Sequence, residues 1–299
     1  MKIRKAVIPA AGLGTRLLPA TKSLPKEMLP IVDKPQILYA VEEMMAAGIT
    51  ELVLVTGRGK FAIEDFFDTS YELEDQLEKS GKQEWLKSLR ELRRELKVIS
   101  IRQHQALGLG HAVLTASPVV GSEPFAVLLP DELMISKPGR PSATAQLARI
   151  YDDTQMSVVA VMEVPAEDVD KYGIVTATVR GPNLWSVQNV VEKPKPSEAP
   201  SRLALPGRYV FDAELFNCLR EVAPGKGGEI QLTDGMVKLA QRKGLLGTTV
   251  EALRLDTGNK LGFLIATVEL GLQHPDVAAD FRQYLHERVQ GRTHDSIGG

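Results

Sequence analysis

A glycine-rich segment near the amino terminus, residues 10–16 (AAGLGTR), has the composition of a phosphate-binding loop. Small residues leave the backbone N–H groups of such a loop free to face a phosphate or a base. Arg16 ends the segment and Lys22 and Lys26 follow, which places three cations within eleven residues of a nearly neutral chain. This spacing favours a polyphosphate cradle. A surface turn with scattered basic residues is the alternative interpretation.

The loop does not carry the signature of two commoner nucleotide sites. The dinucleotide fingerprint G-x-G-x-x-G requires a glycine where this chain has Leu17. Residues 57–60 (GRGK) lack the leading glycine of a P-loop. These departures weigh against a hydride-transferring dehydrogenase and against a P-loop nucleoside triphosphatase.

Two aspartates from distant segments offer oxygen ligands for a cation. Asp131 follows the predicted strand 126–129, and α/β sheets bind ligands at the carboxyl ends of their strands. Asp256 opens the sequence Asp-Thr-Gly at a second predicted strand end. The two carboxylates suit Mg²⁺, which normally uses one or two carboxylates beside substrate phosphates. A helix N-cap is the alternative interpretation of Asp256, and it does not exclude metal binding.

Three further polar residues suit the recognition of a base and of a sugar phosphate. Gln103, after the predicted strand 98–102, can present its amide to uracil, but the same amide rotated pairs with cytosine. A bond to a loop backbone group is the plainer interpretation of Gln103. Glu192 and Lys193 close a predicted strand, and would accept from sugar hydroxyls and neutralise a phosphate. A solvated charge pair at a turn is the commoner interpretation of such neighbours.

The elements that must position these residues alternate between strand-like and helix-like patterns. Apolar runs separated by helical spacing predict a buried parallel sheet, at residues 6–9, 51–56, 98–102, 126–129 and 157–162. Later runs broken by Gly, Pro and Asn predict an antiparallel excursion, at residues 173–179, 185–191 and 208–211. Helices return from residue 212, with a strand near 247–255. We therefore predict an α/β fold, a Rossmann-like doubly wound, mostly parallel mixed sheet flanked by helices, with a small antiparallel excursion and C-terminal helices.

No internal repeat or Pro/Ser-rich linker divides the chain, which favours one domain over residues 1–290. Within it we expect a nucleotide-binding half at about 1–165, a sugar-binding half at about 166–256 and C-terminal helices at about 257–290. The polar residues 291–299 are expected to form a disordered tail.

The charge balance and the cysteine content narrow the partners and the setting. Lys and Arg number 36 and Asp and Glu 38, so the net charge is −2 and offers no global field for nucleic acid or an anionic membrane. No run approaches the ~20 apolar residues of a membrane span. The single cysteine, Cys218, excludes an intrachain disulfide and favours a reducing, cytoplasmic setting.

Residues 10–35 (AAGLGTRLLPATKSLPKEMLPIVDKP) resemble the signature of the sugar-1-phosphate nucleotidyltransferases, and most closely the bacterial members that use UTP and glucose 1-phosphate. Further matching motifs follow in the family's order: RQHQALGLGHAV, LLPDE, KYGIV, VEKP, GRYVF, GGEIQLTD and LDTGNKLGF. The similarity extends from residue 3 to about residue 287. Each motif is weak alone, and their joint presence in order makes the resemblance specific.

The resemblance implies an enzyme that transfers a uridylyl group from UTP to α-D-glucose 1-phosphate and releases UDP-glucose and pyrophosphate. The implied reaction is an in-line attack on the α-phosphorus, assisted by Mg²⁺ and without a covalent enzyme intermediate. The implied catalytic residues are Arg16, Lys26 and Lys193; the nucleotide-binding residues Ala11, Gly12, Gly14, Thr15, Gln103, Gly108 and Asp131; the sugar-binding residues Gly173, Glu192 and Lys193; and the metal ligands Asp131 and Asp256. The family also implies a homodimer or homotetramer.

Two other residues in these motifs receive weaker interpretations. His111 is interpreted as helix-start packing or a ribose-side contact rather than an acid–base catalyst, because glucose 1-phosphate is largely dianionic near pH 7 and is a ready nucleophile. Glu229 is expected at a helix start on the sugar side.

Two alternative functions use the same residues. A thymidylyltransferase, or an enzyme for another sugar 1-phosphate, would share the phosphate-binding groups. A non-catalytic regulator that binds nucleotide sugars would be marked by loss of Asp131, Lys26 or Lys193, and all three are present.

Overall fold

The computed structural model describes residues 2–290, so the predicted tail at 291–299 lies outside the described residues. The strands, in chain order, are β1 (Lys5–Pro9), β2 (Pro30–Ile31), β3 (Lys34–Pro35), β4 (Glu51–Thr56), β5 (Lys97–Arg102), β6 (Phe125–Leu128), β7 (Glu132–Ile135), β8 (Val158–Ala160), β9 (Met162–Glu163), β10 (Gly173–Gly181), β11 (Leu184–Glu192), β12 (Leu203–Ala204), β13 (Arg208–Phe211), β14 (Leu246–Thr248) and β15 (Leu253–Asp256).

The α-helices surround these strands. In chain order they are α1 (Gln36–Ala46), α2 (Phe61–Phe67), α3 (Tyr71–Lys79), α4 (Gln83–Glu95), α5 (Leu109–Thr115), α6 (Ser117–Val120), α7 (Ala143–Thr154), α8 (Glu214–Arg220), α9 (Leu232–Lys243), α10 (Lys260–Gly271) and α11 (Ala278–Val289).

One mixed sheet runs through both halves of the chain, in the order β5-β4-β1-β6-β13-β8-β14-β11-β10-β12-β9. Strands β5, β4, β1 and β6 are parallel neighbours, and β14 is parallel to β8. Strand β13 lies between β6 and β8 and is antiparallel to both, so β6 and β8 share one direction. Six of the first seven strands therefore point the same way. The remainder, from β11 to β9, is antiparallel, as the patterns after residue 165 predict.

Helices cover the sheet on both faces, because side chains alternate between its faces along each strand. Val7 of β1 and Val53 of β4 belong to the apolar cluster that contains α5, α8 and α9. Ile8 and Leu54, their neighbours in sequence, belong to the opposite cluster with α1 and α7. All four side chains are fully buried. This two-sided burial confirms the doubly wound, mostly parallel architecture with flanking and C-terminal helices.

Two predicted strands have different limits in the structure. The predicted strand 157–162 is divided into β8 and β9, which lie at distant positions in the sheet. The predicted strand near 247–255 is likewise divided: β14 joins the main sheet, while β15 pairs with β7 in a separate ribbon. Strand β7 itself follows Asp131 directly and was not expected.

Two further sequence observations are settled by the fold. Cys218 is fully buried in α8, as its apolar neighbours indicate. No helix among residues 2–290 is both long enough and apolar enough to cross a membrane.

Candidate active site

A cleft of about 530 Å³ lies at the carboxyl ends of β1 and β6 and reaches across to β10 and β11. Its walls come from both halves of the chain. The predicted site residues that line it are Ala11, Gly12, Gly14, Thr15, Lys26, Gln103, Gly108, Asp131, Gly173, Glu192 and Lys193. Arg16 and Asp256 are not lining residues, and the structure places both beside Asp131 instead.

The glycine loop after β1 is held in a fixed shape. The N–H of Ala10 donates to the carbonyl of Val55 in β4, at 2.8 Å. The Thr21 hydroxyl donates to the carbonyl of Gly14, also at 2.8 Å. Gly14 has a φ of 69°, a left-handed conformation that favours glycine. A Cβ atom there would lie 3.2 Å from Cβ of Lys26, so the glycine also lets the Lys26 segment approach the loop.

Lys26 and Asp131 form an ion pair inside the cleft, with 2.5 Å between Lys26 Nζ and Asp131 Oδ2. Their side chains are only 18% and 27% exposed. Burial disfavours both charges, but each partner stabilises the other. The balance raises the pKa of Lys26, where the carboxylates of Asp131 and Glu27 outweigh burial. It lowers the pKa of Asp131, where the Lys26 ammonium outweighs burial.

The β7–β15 ribbon brings Asp131 and Asp256 to the same place. The two strands pair antiparallel so that Asp256 faces Glu132, the residue after Asp131. The N–H and the hydroxyl of Thr257 both donate to the Asp131 carbonyl, at 2.8 and 2.9 Å. A Cβ atom on Gly258 would lie 3.1 Å from Asp256 Oδ1, 3.4 Å from Asp131 Oδ2 and 3.9 Å from Arg16 Nη1. Two carboxylates and a guanidinium therefore surround one point.

The helix N-cap interpretation of Asp256 is wrong. The following helix, α10, is capped by Asn259, whose side chain accepts from the N–H of Gly262. Asp256 ends strand β15 and accepts from the N–H of Gly258 and from the Asn259 amide. The orientation of the Asp256 carboxylate is therefore set by hydrogen bonds from the loop that follows it, and the carboxylate does not cap a helix.

The donor set around Asp131 and Asp256 fits a hard divalent cation that is completed by substrate. No group of three or more His, Cys, Asp or Glu within residues 2–290 is arranged to hold a metal ion. Two convergent carboxylates beside the cleft match the ligand number that Mg²⁺ takes from protein when phosphates supply the rest.

Buried side chains hold every backbone carbonyl of the segment 129–132 that carries Asp131. Arg208 donates to the carbonyl of Leu129 at 2.9 Å and to that of Glu132. Gln36 donates to the carbonyl of Pro130 at 3.1 Å. With Thr257 on the Asp131 carbonyl, all four acceptors are used. We call Arg208, Gln36 and Thr257 the carbonyl brace.

The brace depends on a buried ion pair. Arg208 and Glu43 have side chains that are 0% and 4% exposed, and Arg208 Nη2 lies 2.8 Å from Glu43 Oε2. Glu43 also accepts from the N–H and hydroxyl of Thr144, so the carboxylate is fully bonded. Sequence reasoning missed Arg208 because an arginine in a short strand usually indicates a surface position.

Gln103 is anchored at the end of β5. Its N–H donates to the Thr56 carbonyl at 2.8 Å. Its side-chain Nε2 lies 3.2 Å from the Gly108 carbonyl and 2.8 Å from His111 Nδ1. His111 itself is not a lining residue of the cleft, so the expected ribose-side contact has no support, and its observed partner is Gln103.

The wall that Glu192 and Lys193 form is more open. Glu192 ends β11 as predicted, and Lys193 follows with a φ of 45°, which is unusual for a residue other than glycine. Their charged atoms are 3.4 Å apart, and the Lys193 side chain is 51% exposed. Gly173 packs so closely that an added Cβ would lie 3.0 Å from Thr233. Thr233 lines the cleft, and its hydroxyl oxygen is buried and has no hydrogen-bond partner within the described chain.

Two residues that line the cleft differ from expectation or were missed. Glu229 lines the cleft in extended backbone, and α9 begins three residues later at Leu232, so the helix-start prediction for Glu229 is wrong. Glu132 lines the cleft and pairs with Arg254, at 2.6 Å. Burial, against the opposing effect of Arg254, raises the pKa of Glu132 to about 7.

Comparisons with known proteins agree with one another. The family model described as nucleotidyl transferase matches residues 5–271. A UTP–glucose-1-phosphate uridylyltransferase of Bacillus subtilis (strain 168) is 46% identical over 296 residues, which is 99% of each chain.

Solved structures give the same result. A UDP-glucose pyrophosphorylase in complex with UDP-glucose superposes with a TM-score of 0.82 at 44% identity, over 90% of this chain and 98% of its own. A UTP-bound UGPase from Acinetobacter baumannii superposes with a TM-score of 0.87 at 42% identity, over 95% and 99%. The fold is thus shared with proteins whose structures hold UDP-glucose or UTP.

Proposed function

The chain belongs to the nucleotidyl transferase family, and on that premise we propose that it transfers a uridylyl group from UTP to α-D-glucose 1-phosphate, giving UDP-glucose and pyrophosphate. The observation that carries the proposal is one cleft with two unlike walls. Lys26, Asp131 and their neighbours form a charged, buried wall, and Glu192 and Lys193 form an open wall across from it. One wall suits a triphosphate and the other a sugar phosphate.

The reaction joins two polyanions, so charge neutralisation and alignment are the main tasks of the protein. An oxygen of the glucose 1-phosphate attacks the α-phosphorus of UTP. The bond from that phosphorus to the oxygen that bridges the α- and β-phosphates breaks on the opposite side, and this oxygen leaves as a terminal oxygen of pyrophosphate. The attacking phosphate is already anionic near pH 7, so no side chain needs to remove a proton from it.

Lys26 and Arg16 hold the triphosphate and the departing pyrophosphate. Lys26 is paired with Asp131 before substrate binds, which keeps its ammonium in the cleft and charged. Arg16 is exposed and lies near the same point from the side of Gly258, where a long guanidinium can follow the leaving group.

Members of this family use a divalent cation, and we propose Mg²⁺ held by Asp131 and Asp256. When bound, the cation supplies charge neutralisation at phosphate oxygens and Lewis-acid polarisation. The carbonyl brace would keep the Asp131 carboxylate oriented for this role while Lys26 turns to the phosphates.

The base and the sugar are recognised by different groups. Gln103 accepts from N3–H of uracil, and the loop at Ala11, Gly12 and Gly108 supplies backbone contacts to the base, with Gly14 and Thr15 on the phosphates. Glu192 accepts from glucose hydroxyls and Lys193 aligns the sugar phosphate beside Gly173. The buried and unpartnered Thr233 hydroxyl supports a sugar hydroxyl at this position, because buried hydroxyls normally find partners.

The alternative functions have less support. The compared relatives carry the uridylyl name or hold uridine nucleotides, which favours UTP over thymidine nucleotides. A non-catalytic regulator is disfavoured because the ion pair of Lys26 and Asp131 and the pair of Glu192 and Lys193 line one cleft.

We propose a cellular location and an assembly from other features. A cytoplasmic location is supported by the single buried cysteine and by the phosphorylated substrates. A homodimer or homotetramer is supported by the apolar outer side of α10, where Leu261 and Leu264 are 68% and 62% exposed. Light scattering on Leu264→Glu and on the wild type would test whether α10 joins subunits, and an unchanged mass would place the interface elsewhere.

Pyrophosphate release measures the proposed activity directly. The assay crosses UTP, dTTP, CTP and ATP with glucose 1-phosphate and with other sugar 1-phosphates. We expect UTP with glucose 1-phosphate to have the highest kcat/KM. Turnover restricted to dTTP would contradict the proposed function, as would pyrophosphate release that does not depend on a sugar phosphate.

A further inference from the structure

Two acceptors contact the side-chain nitrogen, Nε2, of Gln103. Nε2 lies 3.2 Å from the Gly108 carbonyl and 2.8 Å from Nδ1 of His111. The Gly108 carbonyl can only accept, so the atom facing it must be the NH₂ of the amide rather than its oxygen. An amide NH₂ has two hydrogens, and the two neighbours account for both of them. The orientation of this amide therefore follows from its partners.

The remaining polar atom of Gln103 is its carbonyl oxygen. Within the described part of the chain, Oε1 has no hydrogen bond, while Gln103 lines the cleft and is 7% exposed. A nearly buried acceptor in a cleft selects a ligand that presents a donor. Uracil presents N3–H, whereas the corresponding cytosine nitrogen is an acceptor.

His111 occupies the first turn of α5 and is not among the residues that line the cleft. Its side chain is half-buried, its Nδ1 faces Gln103, and its carbonyl accepts from the Thr115 hydroxyl at 2.8 Å. To accept from Gln103 Nε2, the imidazole carries its hydrogen on Nε2. Gly108, the other partner, has a φ of 92°, and its carbonyl also accepts from the N–H of Ala112 at 3.1 Å. The Gly108 carbonyl thus accepts from both Gln103 and Ala112. Among the contacts that the structure gives, Nδ1 of His111 has Gln103 as its only partner.

We propose that His111 is a positioning residue for nucleotide selection: its Nδ1 takes the second amide hydrogen of Gln103 and so fixes Oε1 toward the base. This inference rests on the proposed function, because it assumes that Gln103 contacts the base of UTP. A rotated Gln103 amide would pair with cytosine instead of uracil, and His111, which lies outside the binding surface, prevents that rotation. His111 does not touch substrate and takes no part in proton transfer.

The test measures the ratio of kcat/KM for UTP to kcat/KM for CTP, with glucose 1-phosphate saturating. His111→Leu keeps the apolar bulk but removes the acceptor, and the amide is then free to rotate. We expect the ratio to fall about tenfold, the size of one lost hydrogen bond. His111→Asn, whose Oδ1 can take the place of Nδ1, should stay within about threefold of the wild type.

Two further variants separate this inference from general damage. His104→Leu removes an exposed imidazole from the same loop and should leave the ratio unchanged. Gln103→Leu should lower the ratio at least as much as His111→Leu, and the double variant should match Gln103→Leu alone, because positioning has no value once the amide is gone.

Each contrary result has a distinct meaning. If His111→Leu lowers kcat/KM equally for UTP and CTP, or His111→Asn behaves like His111→Leu, the positioning role of Nδ1 is wrong while the base role of Gln103 stands. If Gln103→Leu leaves the ratio unchanged, the base role within the proposed function fails and this inference fails with it.

Discussion

The two walls of the cleft differ in how completely the protein has organised them. On the nucleotide wall, the Lys26 and Asp131 side chains are 18% and 27% exposed, and every carbonyl of residues 129–132 is bonded. On the sugar wall, the Lys193 side chain is 51% exposed and its contact with Glu192 is 3.4 Å long. The nucleotide wall is built before substrate arrives, whereas the charges of the sugar wall remain free to adapt to it.

This difference indicates that the two walls contribute to different steps. A preorganised wall lowers the reorganisation needed when charge develops at the α-phosphorus. An exposed ammonium on a flexible stem loses little hydration until a phosphate replaces its water. Substitutions on the nucleotide wall should therefore affect turnover, and substitutions on the sugar wall should affect the use of glucose 1-phosphate.

Asp131→Asn should produce the largest effect, because it removes a proposed cation ligand and the partner of Lys26. We expect kcat to fall about 1,000-fold or more, a loss of about 4 kcal/mol of transition-state stabilisation. Steady-state pyrophosphate release and Mn²⁺ binding by electron paramagnetic resonance would be measured together. Asp152→Asn, an exposed aspartate on α7, is the matched control. Wild-type turnover in Asp131→Asn would refute the metal assignment.

Arg208→Met tests whether the carbonyl brace belongs to the nucleotide wall. Breaking a buried pair leaves the Glu43 carboxylate uncompensated and should cost about 3–5 kcal/mol of the free energy of unfolding. Urea unfolding would measure this loss. The double variant with Glu43→Met removes both charges and should recover most of the stability.

Activity of the stable double variant then isolates positioning from folding. Because the carbonyls of Leu129 and Glu132 lose the Arg208 guanidinium as a donor, we expect kcat to remain about tenfold or more below the wild type. Full recovery of kcat along with stability would mean that Arg208 supports only the fold.

Lys193→Ala should act on one substrate. We expect the KM for glucose 1-phosphate to rise about 10- to 100-fold, the range of a lost charge-assisted contact, while the KM for UTP changes less than about threefold. Lys195→Ala, which removes a more exposed lysine paired with Glu198, is the control. An equal rise in both KM values would show that Lys193 also acts on the nucleotide, and the proposed difference between the two walls would be wrong.

Lys79→Ala gives the smallest expected effect and calibrates the others. Lys79 pairs with Asp75 one turn earlier on α3, and both side chains are more than half exposed. Loss of this pair should change the free energy of unfolding by less than about 0.5 kcal/mol and leave kcat unchanged. A larger loss would show that exposure does not separate the two kinds of ion pair in this protein.

Most strands of the main sheet could be predicted because their apolar runs and periodicity are local signals, whereas the two-residue strand β12 was missed. The β7–β15 ribbon could not, because β7 has four residues and its partner lies over one hundred positions later in the chain. The register of that ribbon, which sets the distance between Asp131 and Asp256, depends on this long-range pairing. Sequence motifs indicated both aspartates as candidate metal ligands. They did not predict that the two carboxylates lie close together beside Gly258.

Residues that support the site from behind were the hardest to predict. Arg208 is an arginine in a strand, and only the fold shows that it faces Glu43 and two loop carbonyls. His111 has a sequence position that suits packing, and its contact with Gln103 depends on how α5 starts at Gly108. By contrast, the lining residues taken from the family motifs lie together in the cleft, because those motifs occupy loops at strand ends.

We propose that the nucleotide wall is preorganised for a uridine triphosphate and that the exposed charges of the sugar wall adapt to glucose 1-phosphate. Pyrophosphate release with UTP, dTTP, CTP and ATP, each at varied glucose 1-phosphate, tests it most directly. We expect UTP to give the highest kcat/KM and Lys193→Ala to lower the apparent affinity for glucose 1-phosphate alone. Equal rates with all four nucleotides, or turnover that needs no sugar phosphate, would contradict it.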